Sequence, residues 1–115
     1  MSIEQLVEQY SAAAAAHGRA TLTADDVEAN RASDQIARIY SELRARGLAA
    51  QRALLRLLTD ADASVRLWAG AHALEFSSVD GESVLLEIVE QERGLIGFTA
   101  RMTLQQWQKG ELRFP

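Results

Sequence analysis

The chain has 115 residues, 48% of them hydrophobic and 24% charged, which suits one domain with its own core and excludes wholesale disorder. It has no cysteine, which excludes a disulfide framework, a thiolate zinc or iron–sulfur site and a cysteine nucleophile. A net charge of −4 gives no global attraction to nucleic acid.

No sustained period-2 alternation of β-branched or aromatic residues occurs, so strands are not expected. The one proline is Pro115, so proline breaks no helix. The pattern predicts about six helices. The first runs from about Ser2 to His17, with a Ser2/Gln5 capping box, an apolar stripe of Ile3, Leu6, Val7 and Tyr10, and a stop at Gly18. The second follows Thr23 as N-cap, carries Asp25 and Asp26 at its positive end, and continues through Val27, Ile36, Ile39, Tyr40 and Leu43 to Gly47. The third covers about Ala49 to Leu58, the fourth Ser64 to Phe76, the fifth Glu82 to Gln91, and the sixth Ile96 to Lys109, ended by Gly110.

The N-terminal segment MSIEQLVEQYSAAAAAHGRA lacks the basic start of a secretory signal. No run approaches the roughly 18 apolar residues of a membrane span. Both features lead us to expect a cytoplasmic protein with no membrane partner.

An internal repeat is visible. Leu54-Leu55-Arg56-Leu57-Leu58 resembles Leu85-Leu86-Glu87-Ile88-Val89 at an offset of 31, and helix four matches helix six at an offset of 33, Val65 onto Phe98. In helix four, Val65, Ala69 and Phe76 share one face, and Leu67, Ala71 and Leu74 another. In helix six the same roles fall to Phe98 and Met102, and to Ala100, Leu104 and Trp107. Two apolar sides suit a helix packed between a hairpin partner and a neighbouring repeat. Between them runs a third stripe: Trp68, His72 and Glu75 in helix four, Arg101, Gln105 and Gln108 in helix six. If the units stack in parallel, these six residues form one candidate partner-binding face. The spacing leaves open whether Trp68 is exposed or seals the core.

The pattern Leu54-Leu55-x-Leu57-Leu58-x-Asp60-x-Asp62-x-x-Val65-Arg66-x-x-Ala69 resembles the core of a HEAT repeat. The resemblance implies a HEAT-like α-α superhelix that binds other proteins, with Asp60 and Arg66 in structural polar contacts and Asp62 in the intervening turn. Gly70 stands where that family usually has Ala, marking a weak or closely approached point. The expected architecture is all-α: a short right-handed stack of about three helical hairpins in one domain, 1–115. An N-terminal hairpin occupies 1–47, the best-matching unit 48–77, and a degenerate unit 78–115. The whole chain is also similar to a family of small bacterial proteins, the domain-of-unknown-function family numbered two thousand and nineteen. That similarity is carried by Leu6-Val7, Arg46-Gly47, Val65-Arg66 and Met102-Thr103-Leu104 with Gly110 and Pro115. It implies a HEAT-like helical fold and no established activity.

Searches for chemistry end in structural readings. Asp60-Ala61-Asp62 opens like a calcium loop, but the positions that need Gly and Glu hold Val65 and Ala71, so a turn and N-cap is expected. His17 and His72 share no local motif, and no serine lies in a nucleophile elbow. Gly94-Leu95-Ile96-Gly97 lacks a phosphate-binding lysine and reads as a turn. No cofactor, metal or catalytic residue is predicted, and no enzymatic activity.

Charge is uneven: six arginines lie between Arg38 and Arg66, and six acids with no Lys or Arg between Glu75 and Glu92. The primary expectation is a non-enzymatic protein-interaction module. A sharper form is an immunity or antitoxin-like protein that neutralises a basic toxin through the acidic segment. A different class is a small-ligand binder or enzyme using His72, Glu75 and Arg101 in a polar cleft between repeats. Self-association through an exposed end of the stack is a further alternative.

Overall fold

A computed structural model describes residues 1–114, and among them all regular structure is helical. In chain order the elements are α1 (Ile3–Leu22), α2 (Asp26–Ala45), α3 (Leu48–Arg52), a 3-10 helix (Ala53–Thr59), α4 (Ala63–Phe76), α5 (Ser78–Gln91) and α6 (Leu95–Gln108). The all-α class expected from the sequence is therefore observed. Contacts gather into two compact units, Met1–Leu54 and Leu55–Pro115. That division falls inside the 48–77 segment read as one repeat. α3 packs with α2, whereas α4 packs with α5 and α6.

In the first unit, α1 starts on the expected capping box, with Ser2 Oγ accepting from Gln5 N at 3.1 Å and Gln5 Oε1 from Ser2 N at 2.9 Å. α1 does not stop at Gly18. It runs on to Leu22 with Gly18 buried inside it. Its C-terminus closes instead on threonine hydroxyls and a Schellman-type turn, in which Asp25 N donates to Ala20 O (2.9 Å) and Ala24 N to Thr21 O (3.3 Å). Ala24 holds the left-handed position of that turn at φ +55°. Thr23 is consequently the C-cap of α1, and Asp25 caps α2, its carboxylate accepting from Glu28 N at 3.1 Å. Tyr10, Ile36, Tyr40 and Leu43 are fully buried between α1 and α2. Burial, and then the neighbouring Tyr40, push the Tyr10 phenol well above its ordinary pKa, so it stays neutral. The Tyr40 hydroxyl accepts from Gln51 Nε2 at 3.0 Å, a buried bond that ties α3 to α2.

The predicted third helix is two elements. After Arg52 the backbone tightens to a 3-10 helix, where three residues per turn bring Leu54 and Leu57 onto one side. Both are buried.

In the second unit, Asp62 caps α4 as expected, its Oδ1 accepting from Ser64 N (2.8 Å) and Val65 N (3.3 Å). Asp60 supports the turn by accepting from Asp62 N at 2.9 Å. Of the polar contacts implied by the HEAT resemblance, Asp60 makes its own within the turn, whereas Arg66 Nε is buried with no hydrogen-bond partner. α4 is apolar around most of its circumference: Val65, Leu67, Ala69, Ala73 and Leu74 are all buried. α5 begins at Ser78, four residues before the predicted start, and only Ser77 separates it from α4. Ser77 breaks the helix at φ −155°, and its hydroxyl donates to Asp80 Oδ2 at 2.6 Å, closing the first turn of α5.

The α4–α5 crossing is very close. A Cβ on Gly81 would lie 2.7 Å from Gly70 O and 2.8 Å from Leu74 N, and one on Gly70 would lie 2.5 Å from Val84 Cγ1. Gly70 is thus the closely approached point. The core of this unit joins Leu67 and Leu74 of α4, Val84, Leu85 and Ile88 of α5, and Ala100 and Leu104 of α6. α6 ends at Gln108 and Gly110 follows at φ +73°, which fits the predicted glycine stop.

Two substitutions of opposite sign check these backbone assignments by urea denaturation. Gly81→Ala is expected to lose about 1–2 kcal/mol, because the clash is with backbone and outweighs the gain in helix propensity. Ala24→Gly is expected to gain about 0.5–1 kcal/mol by relieving the left-handed residue.

Candidate functional site

The six residues of the predicted face fall into two different environments. On α4, Trp68 is half-buried, His72 is only 6% exposed and Glu75 is exposed. The rings of Trp68 and His72 stand 6.3 Å apart at 35°, one helical turn along α4. Phe114 also lies against His72, ring centres 5.7 Å apart at 45°. Trp68, His72 and Phe114 thus make an aromatic cluster in which the His72 ring is interior. His72 does not offer an accessible recognition group. Periodicity placed it on a stripe of its own helix, but nothing local shows that the segment after Gly110 returns against it. Leu112 and Phe114 both pack on the core of this unit.

On α6, Arg101, Gln105 and Gln108 are exposed. So are two residues assigned by the repeat alignment to a packed face: Phe98 at 55% and Met102 at 38%. At 100° per residue, Phe98, Arg101, Met102 and Gln105 share an arc of about 100°. Leu95, 59% exposed, extends the same side by one turn toward the N-terminus. The inner side of α6 is held by Ala100 and Leu104, and by Trp107, whose Nε1 donates to Glu82 Oε1 at 3.0 Å. The Gly94–Gly97 segment acts as a turn and a close approach. Gly94 precedes α6 at φ +78°, and a Cβ on Gly97 would collide with the Glu92 carbonyl.

The acidic segment is partly structural. Glu82 serves Trp107 and Asp80 takes the Ser77 hydroxyl, while Glu87 and Glu90 stand exposed on α5. His17 lies on α1 in the first unit, where burial lowers its pKa below the ordinary histidine value. Among the described residues, no three His, Asp or Glu side chains converge as a metal ion would need. No described helix is long and apolar enough to cross a membrane.

The fold and its exposed α6 define an all-α helical protein. The family model described as a domain of unknown function (DUF2019) matches residues 4–108, and the chain belongs to that family. The chain is also similar to the crystal structure of the protein RPA1889 from Rhodopseudomonas palustris CGA009, with a TM-score of 0.92 and 26% identity over 98% of this chain and 93% of that one. None of the curated proteins matches the sequence.

Phe114→Ala tests the aromatic cluster. It is expected to cost about 1–2 kcal/mol of stability and to move the His72 ring-proton resonances, since it removes one ring tilted against the imidazole.

Proposed function

We propose that this protein is a non-enzymatic protein-interaction module whose docking surface is the outer face of α6. The observation that carries this reading is the run Leu95, Phe98 and Met102: three large apolar side chains left exposed at helix spacing i, i+3 and i+7. That is the anchor pattern of a helix received in a partner's groove. Exposed apolar residues scattered singly are ordinary, but three in register on one helix are not. Arg101 and Gln105 border the anchors, and α6 carries no carboxylate. The partner is therefore a protein with an apolar groove edged by acidic groups. Aromatic and arginine side chains are the types that concentrate binding energy in such contacts.

The experiment is a photo-crosslinking amino acid at position 98 in cells, with the same probe at the exposed Glu8 on α1 as control. A single protein crosslinked from position 98 and not from 8 is expected. The purified pair should then lose about tenfold or more in affinity with Phe98→Ser or Arg101→Glu, at unchanged helicity. Equal crosslinking at both positions, no crosslinked protein, or unchanged affinity of both variants would sink the assignment. A product at twice the chain mass would reassign the surface to self-association.

A further inference from the structure

A shallow cleft lies between the 3-10 turn and the first three turns of α5, within the Leu55–Pro115 unit. Leu55 and Leu58 line it from the turn, and Asp80, Ser83 and Glu87 from α5. Val84, 5% exposed, forms its floor. The cleft is thus apolar at its base and carboxylate-edged along α5. No Lys or Arg lines it among the described residues, and α5 itself contains none.

The spacing of the two carboxylates is informative. Asp80 and Glu87 are seven residues apart, two turns of α5, so they stand on one side about 10 Å apart along the axis. Ser83 sits between them, and its small side chain leaves the apolar floor open. A partner helix lying along α5 would present cations at the same two-turn spacing. The apolar side chain between those cations would reach Leu55, Leu58 and Val84.

We infer that this cleft is a second docking site, specific for a cationic amphipathic helix of another protein. Charge complementarity decides the occupant. An acidic or neutral helix would bring its apolar residue to the same floor but meet Asp80 and Glu87 without compensation. Exposed carboxylates give steering and selectivity more than raw affinity, and the apolar floor supplies the desolvated contact. The site is separate from the α6 surface, and either assignment stands without the other.

The test uses the full chain, isotopically labelled, and a synthetic Leu/Lys amphipathic peptide of about four helical turns with lysines seven residues apart. The same peptide with Glu in place of Lys is the control. Saturable amide shifts at Leu55, Leu58, Ser83, Val84 and Glu87 are expected with the lysine peptide alone, weakening as salt rises from about 50 to 500 mM. Ser83→Arg, which fills and neutralises the cleft, should weaken binding about tenfold or more. Glu8→Lys, an exposed carboxylate on α1 outside the cleft, should change it by less than about threefold, and Phe98→Ser should leave it intact. Shifts spread over carboxylates elsewhere on the chain would overturn the site. So would equal weakening by Glu8→Lys, undiminished binding to Ser83→Arg, or no binding of the lysine peptide.

Discussion

The close crossing of α4 and α5 governs the second unit. With Gly70 facing Val84 and Gly81 facing the Gly70 carbonyl and Leu74 amide, the two backbones approach nearer than any β-carbon at these points would allow. That approach directs Val84, Leu85 and Ile88 inward. Helical geometry then leaves Asp80, Ser83 and Glu87 on the solvent-facing flank beside Val84, because they follow the edge of the same buried stripe. α6 closes on the core so formed with Ala100 and Leu104, and Trp107 reaches Glu82 to fix its position along α5. Both proposed docking surfaces thus lie on helices whose inner sides pack on the core that the α4–α5 contact begins.

The elements were largely legible because helix signals are local. The Ser2/Gln5 box, the Asp62 cap and the Gly110 stop each act within four residues, and each stands where the sequence placed it. The misplaced boundaries arise where packing overrides a local signal or where no local signal marks the break. Gly18 reads as a terminator by its entropy, yet it is buried within α1, and hydroxyls of Thr21 and Thr23 finish that helix. The start of α5 was hidden because Ser77 alone separates it from α4. A one-residue break leaves no composition shift to read. The 3-10 turn was hidden because four leucines in five residues satisfy either helical period.

The candidate face was less legible, since it depended on contacts between distant segments. Trp68, His72 and Glu75 do share a stripe on α4, but Phe114 lies against His72, and a turn after α6 is what brings it there. The repeat alignment gave Phe98 and Met102 the role of Val65 and Ala69. The structure buries the latter pair and exposes the former. Equivalent positions in two repeats have the same geometry but not the same neighbours. α6 is the last helix among the described residues, and none of the other described helices covers those side chains.

That difference bears on what chains of one fold can hold in common. Identity of 26% with a TM-score of 0.92 means that a shared fold tolerates replacement of most side chains, provided the apolar pattern and the close approaches survive. Surface residues carry no such constraint, so binding can diverge while the scaffold stays constant. Here one unit presents two surfaces of opposite character: α6 with Leu95, Phe98, Met102 and Arg101, and the cleft edged by Asp80 and Glu87. Each pairs apolar contact with one sign of charge. A partner suited to one proposed surface would meet like charge at the other, and that repulsion would separate the two docking modes without further structure.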